Sequence, residues 1–380
     1  MSLILDEHRH YLADRVRVSR YEAAVREVVR PGDVVLDLGS GTGILGLFAW
    51  RAGAARVYAI EASPIAGVAE RVAAANAAAA IHVVRAEAHH AQLPERADVV
   101  VTDQIGRFGF EAGLFSLFED ARARLLKPDA RFIPEALSFR VAPIEHARQY
   151  DRVEFWRRSR AGLDFSAVAS LAENSGYPVR LAPRHLLALP VDARRVDLRD
   201  VTSAPLRLEA SFTIERNGEL HGLAGWFAAQ LSPSVEMSNS PLDPQRILRR
   251  QTFLPIAQPT RVSRGDEVRA TIRILPEPIM AAWSVTIARR GTAPITFEHS
   301  TLRGMLIDHH EMHLTDPAYR PQLTDRGAAR RTVLELCDGH RTLGEIEAAV
   351  FERHGDVLGS RDAADIFVSE VVTRYTRDAS

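Results

Sequence analysis

Residues 34–43, V-V-L-D-L-G-S-G-T-G, limit what this chain can fold into more than any other segment. Val34 to Leu38 is apolar except at Asp37, the pattern of a strand buried on both faces of a parallel sheet. Gly39, Gly41 and Gly43 then permit a sharp turn and close approach of a ligand to the backbone, and residues 44–53 resume with helical spacing. A strand, a glycine turn and a helix in that order form a nucleotide pocket in a doubly wound α/β sheet. The spacing D-x-G-x-G-x-G puts the third glycine one residue early for the G-x-G-x-x-G of a dinucleotide site. Glu61 closes the next strand, residues 56–61, where a carboxylate accepts hydrogen bonds from both ribose hydroxyls. A ribose site without a pyrophosphate site favours S-adenosylmethionine as the cofactor.

With 380 residues the chain exceeds the usual length of one domain. A net charge of −1 leaves no electrostatic footprint for nucleic acid or an anionic membrane surface. The single cysteine, Cys337, excludes an intrachain disulfide and a cysteine-rich zinc site, and its V-L-E-L-C setting reads as a buried thiol. His89 and His90 are adjacent, but no third ligand lies at useful spacing, so no metal is expected. No run approaches the roughly 20 apolar residues of a membrane span. The first residues are acidic and carry too short an apolar run for a signal peptide, so a cytoplasmic location is expected.

Residues 6–29 read as one or two helices ahead of the first strand. Charges there, Asp14, Arg17 and Arg20, either solvate a helix face or, for Arg17, meet a ligand carboxylate as a two-pronged donor. An alanine-rich helix over 62–80 leads to a strand at 81–84, and Glu87, Ala88, His89 and His90 follow where an adenine would sit. The strand at 97–102 delivers Asp103 to the sheet edge that carries the glycine turn. Asp103 and Glu111, separated by the glycine-bearing loop Q-I-G-R-F-G-F, can cradle a cationic nitrogen acceptor and share its charge. Alternatively Asp103 caps a helix and Glu111 lies at the surface.

An amphipathic helix spans 114–126 and a turn follows at 127–130. From Leu137 the pattern changes to alternating segments separated by proline, glycine and asparagine, which predicts an antiparallel barrel or sandwich, with one helical stretch at 165–175. Beyond Gly304 three short helices are expected at 330–336, 342–354 and 361–375, with Thr342 and Glu345 as a capping box. The expected division is a Rossmann-like α/β domain at 1–134, an antiparallel β-barrel domain at 135–300, and a small helical, winged-helix-like module at 301–380.

Three segments together resemble the protein arginine methyltransferases: V-L-D-L-G-S-G-T-G-I-L-G at 35–46, Y-A-I-E-A-S at 58–63 and L-L-K-P-D-A-R-F-I-P at 125–134. The upstream H-R-H-Y-L-A-D-R-V-R-V-S-R-Y at 8–21 is similar to that family's lid helix, H-x-x-M-L-x-D-x-x-R-x-x-x-Y. The resemblance implies that Arg17 holds the cofactor carboxylate, that Asp37 and Gly39 line its methionine side, that Glu61 takes the ribose hydroxyls, and that Ala88 and His89 meet the adenine. It also implies a dimerisation arm near 160–190 and hence a homodimer.

Two departures stand out. The family's acceptor loop, S-E-x-x-G-x-x-x-x-x-E, is here T-D-Q-I-G-R-F-G-F-E, with Asp103 for the first glutamate and Glu111 one residue early. The family's T-H-W loop corresponds to P-Q-R-I-L-R-R-Q at 244–251, which has no histidine. L-E-L-C-D-G-H-R-T-L-G-E-I at 334–346 resembles the PqqD-like modules that bind leader peptides.

The expected activity is methyl transfer to a guanidino nitrogen of a peptide, a protein or free arginine, with Asp103 and Glu111 orienting the acceptor and Asp14 assisting. The alternatives are a natural-product N- or O-methyltransferase with a different acceptor, or a cofactor-binding scaffold without catalysis.

Overall fold

The structure, a computed structural model, describes residues 4–289, 291–306 and 317–376. Helices α1 (Ile4–Ala13) and α2 (Arg15–Val28) precede the first strand, and Asp14 between them caps α2 by accepting the Arg17 N–H at 3.2 Å. The apolar runs then become β1 (Val34–Leu38), β2 (Arg56–Ile60), β3 (Ile81–Val84) and β4 (Ala97–Thr102), joined through α3 (Ile44–Arg51) and α4 (Ala66–Ala75). The helix expected over 62–80 is shorter because Asn76 ends it and Ala77 takes a left-handed φ of 52°.

After α5 (Leu114–Arg124), β5 (Leu126–Ile133) completes a parallel sheet of order β3-β2-β1-β4-β5. The turn expected at 127–130 does not form. Its Pro128 lies on β5, an edge strand, where a missing ladder donor costs little, and the register against β4 shifts between Ala97 and Val99. Strand order reverses between β1 and β4, so the loops leaving their carboxyl ends part and open a crevice. Thr102 Oγ1 donates to the Leu38 carbonyl at 2.7 Å and ties these two strand ends together.

The antiparallel region forms two sheets. One contains β6 (Ala136–Ile144), β7 (Tyr177–Val179) and β8 (Val191–Asp197), with α6 (Ala147–Glu154) and α7 (Ala169–Glu173) between β6 and β7. The second sheet begins with β9 (Leu206–Thr213). The first continues through β10 (Gly218–Ser232), β11 (Val235–Ser238) and β12 (Gln251–Val262), and the second through β13 (Glu267–Leu275), β14 (Met280–Ala288) and β15 (Ile295–Ser300). Alternation in β9 buries Leu208, Ala210 and Phe212, and in β13 Val268, Ala270, Ile272 and Ile274. The sheets approach along β8 against β9 and along β12 against β15.

This half also sets the loop that leaves β4. A Cβ on Gly225 of β10 would stand 2.6 Å from the Phe108 ring, so glycine there lets Phe108 seat fully against the sheet. Asn239 Nδ2 donates to the Arg107 carbonyl at 2.8 Å and holds the same loop from the other side.

Residues 1–305 form one compact unit and residues 306–380 a second. In the second, α8 (Asp325–Leu336), α9 (Leu343–Leu358) and α10 (Arg361–Tyr375) pack around Ala329, Val333, Val350, Phe367 and Val371. Thr342 and Glu345 make the reciprocal capping box at the start of α9. The unit has no strand among its described residues. Cys337 is half-buried rather than buried, and its Sγ donates to the Val333 carbonyl at 3.2 Å.

Candidate functional site

A cavity of about 610 Å³ opens at the carboxyl ends of β1, β2 and β4, where the reversal of strand order places it. The glycine turn forms one wall, with φ of +66° at Gly39, +55° at Gly41 and +81° at Gly43. A Cβ on Gly41 would stand 2.6 Å from His8 Cε1, so the turn needs glycine both for its backbone and for the approach of α1. Helix α1 packs against this turn through His8 and adds Tyr11 and Leu12 to the lining.

Glu61 lies at the cavity wall just past β2. Its Oε2 accepts the Gly41 N–H and its Oε1 the Ser63 N–H, both at 2.9 Å, which fixes the carboxylate against the turn. Asp37 is fully buried beneath the turn; Oδ2 accepts the Gly46 N–H at 2.9 Å and Oδ1 has no partner. Burial pushes its carboxyl up to about 7, with the Glu61 charge adding to the rise and the Gly46 bond and Arg17 opposing it. Ser40 Oγ is likewise buried and unpartnered.

These features fit the cofactor inferred from the sequence. Two orphaned polar atoms, on Asp37 and Ser40, lie at a turn that admits close approach, and an acid follows where ribose hydroxyls bind.

Asp103, one residue past β4, is the electrostatic centre of the cavity. Its Oδ2 accepts from Arg17 Nε at 2.7 Å, from Arg17 Nη2, and from Arg249 Nη2 at 2.8 Å. The Tyr21 hydroxyl stands 3.1 Å from Oδ1 and 2.9 Å from the Thr102 carbonyl. Burial alone would raise the Asp103 carboxyl. The Arg249 and Arg17 charges, with hydrogen bonds from Arg17 and Tyr21, outweigh it and hold the group below the usual carboxylate range. Arg17 also donates through Nη1 to the Tyr11 carbonyl at 3.1 Å, which ties α1 to α2 over the cavity.

Asp14 lines the cavity too, and besides capping α2 it accepts the Leu248 N–H at 2.7 Å. The stretch that lacks the family's histidine therefore still docks on this acid, through backbone.

Glu111 is placed differently from Asp103. Its Oε2 accepts the backbone N–H groups of Arg107 at 3.0 Å, Phe108 at 2.8 Å and Gly109 at 3.2 Å, while Oε1 accepts the Thr252 hydroxyl at 2.9 Å. The shorter loop folds back onto its own carboxylate, which lies off the cavity wall.

Ala88 and His89 also stand off the wall: the Ala88 carbonyl accepts from Arg124 Nη2 at 3.0 Å, and His89 Nδ1 lies 3.6 Å from Asp120. The structure thus brings together Asp14, Arg17, Gly39, Gly41, Glu61 and Asp103 at one cavity, with Gly43 in the turn and Asp37 on β1 behind its wall. It adds Arg249, which sequence spacing does not mark because its link to Asp103 spans 146 positions, and it joins Tyr21, the last position of the lid-helix pattern, to the same carboxylate from behind the wall. No group of three or more metal-ligating side chains forms among the described residues. No helix among them is long and apolar enough to cross a membrane.

Comparison with known proteins agrees with this geometry. Residues 136–286 match the family model of the arginine methyltransferase oligomerization subdomain, and residues 22–134 that of ribosomal protein L11 methyltransferase. The chain is 31% identical over 288 residues to protein arginine N-methyltransferase 6 of Xenopus laevis, spanning 72% of this chain and 84% of that protein. It is similar in structure to the Trypanosoma brucei PRMT1 enzyme–prozyme heterotetrameric complex with AdoHcy, at 22% identity and a TM-score of 0.69, covering 77% of this chain and 97% of that one. Arabidopsis thaliana protein arginine methyltransferase 10, in an open conformation, gives 22% identity and a TM-score of 0.66 over 78% of this chain and 97% of its own. At these identities the two solved structures speak to the fold alone.

Proposed function

The chain belongs to the protein arginine methyltransferase family, and from that premise we propose that it moves the methyl group of S-adenosylmethionine to a guanidino nitrogen of a peptide, a protein or free arginine. One observation carries this reading: Asp103, at the end of β4, faces the same cavity as the glycine turn and Glu61. S-adenosylmethionine, when bound, supplies a methyl group made electrophilic by its sulfonium. The chain's own work is to hold, orient and share charge, so that the guanidinium nitrogen would take the methyl as the C–S bond breaks to leave S-adenosylhomocysteine and would give up one proton to water.

In this reading Glu61 takes the ribose hydroxyls. Gly39, Gly41 and Gly43 let the backbone approach, Asp37 faces the methionine end and Arg17 meets the cofactor carboxylate. Asp103 orients the acceptor. Glu111 acts on the acceptor only through the loop whose backbone it gathers, and Asp14 holds α2 and residues 244–251 in register. The domain division at 134/135 and 300/301, the cytoplasmic location and a homodimer belong to the same proposal. Exposed Phe155, Leu163 and Phe165, at or beside the arm near 160–190, support a partner surface there.

The test is incubation with methyl-labelled S-adenosylmethionine and arginine-bearing peptides or cell protein, followed by identification of the labelled atom. Label on guanidino nitrogen is expected. Glu61→Ala should weaken cofactor binding by about 1–3 kcal/mol through lost charged hydrogen bonds. Cofactor binding without label on any guanidino nitrogen would contradict the proposed reaction.

A further inference from the structure

The geometry points to Arg249 as a specificity-determining residue that keeps the acceptor carboxylate occupied with a guanidinium of the chain's own, so that a guanidino acceptor enters only by displacing it. This rests on the reading of Asp103 as the acceptor's partner. Arg249 Nη2 donates to Asp103 Oδ2 at 2.8 Å and Nη1 to the Gly106 carbonyl at 3.2 Å, the two-pronged hold that an incoming guanidinium would need at this loop.

The placement is built into the backbone. On one side the Leu248 N–H is fixed to Asp14 at 2.7 Å, and on the other the Arg250 carbonyl accepts from Asn239 Nδ2 at 3.0 Å. Residue 249 is therefore aimed inward between two anchored neighbours, and its side chain is only 14% exposed. Arg250, which also lines the cavity, is exposed and makes no ion pair among the described residues.

The charge count at the site gives the same answer. Asp103 already faces two guanidiniums, Arg17 and Arg249. A third cation entering at Asp103 would meet the like charges of Arg17 and Arg249 on one carboxylate, whereas exchange for Arg249 leaves the pairing there unchanged. Arg17 makes two contacts to Asp103 against one from Arg249, so Arg249 is the guanidinium that gives way. A tethered group competes at the high effective concentration of an intramolecular ligand, so the wild-type site should admit free guanidinium poorly.

The experiment titrates ethylguanidine, with S-adenosylhomocysteine present, into the full chain and into Arg249→Gln, Arg246→Gln, whose side chain is exposed and off the cavity wall, and the double variant Arg249→Gln with Asp103→Asn. Arg249→Gln should bind at least about tenfold more tightly than wild type, Arg246→Gln should match wild type, and the double variant should lose the gain. Should Arg249→Gln fail to fold, Arg249→Lys, which loses the fork, takes its place with a gain of at least about threefold expected. Binding no tighter than wild type, or a gain that survives loss of Asp103, would overturn the inference. Methyl transfer to an arginine peptide by the same proteins separates this inference from the proposed reaction. Tighter binding without transfer sinks the reaction alone. Wild-type transfer with binding indifferent to residue 249 sinks the inference alone.

Discussion

Asp103→Asn is expected to lower methyl transfer by at least about 100-fold and to destabilise the protein by about 3–5 kcal/mol, while cofactor affinity changes far less. Two guanidiniums, 9% and 14% exposed, converge on this one carboxylate. Asparagine keeps the shape and removes the charge, leaving two shielded cations facing each other across a neutral amide. Removing one partner of a buried pair costs more than the pair itself contributes, because the remaining charge stays desolvated.

The effect also has a pH signature. The Asp103 carboxyl titrates below its unfolded value, so its contribution is present above the ordinary carboxylate range and is lost on acidification through the lower folded value. Wild type should therefore lose stability over that acid limb and the asparagine variant should lose much less. Denaturant unfolding of the two proteins, with single-turnover methyl transfer alongside, reads both effects. Equal stability with full activity would show that Arg17 and Arg249 do not depend on Asp103.

Asp37 should give the opposite pH dependence, of about 4 kcal/mol, from a shift of roughly three pKa units at 1.36 kcal/mol each. Its folded value is about 7 against 3.8 for an exposed aspartate, because burial disfavours the anion. Between those values the folded protein binds a proton that the unfolded chain releases. The contribution is thus whole below about pH 4 and is lost as pH rises through 7. Other groups also titrate over this range, so the measurement is the difference between wild type and Asp37→Asn. Unfolding free energies at pH 4.5 and pH 7.5 should converge for the two proteins at the lower pH and favour the variant at the higher. Parallel curves would mean that Asp37 is charged and satisfied in the free protein.

Much of the parallel sheet was legible because its strands are short apolar runs bounded by glycine, proline or acid. The residues of β1, β3 and β4 stand where periodicity puts them, and β2 stops one residue short of Glu61, which lines the cavity. The turn expected at 127–130 does not form because Pro128 falls on an edge strand, and edge position is a property of the sheet that local sequence does not carry. In the site, the glycine turn and Glu61 were visible as local patterns. The engagement of Glu111 by three backbone N–H groups was not, because it depends on how the shortened loop seats Phe108 against Gly225. Arg249 was hidden for a further reason: in R-I-L-R-R-Q it looks like one more solvated arginine, and only the fold brings it within 2.8 Å of an acid 146 positions away.

Calorimetric titration of S-adenosylmethionine into the wild-type chain, with a dinucleotide as the competing ligand, is the most direct measurement. Saturable uptake of one molecule per chain, undisturbed by NAD, is expected of a cavity bounded by the glycine turn and Glu61. Absence of heat with S-adenosylmethionine, or tight binding of NAD in its place, would contradict it.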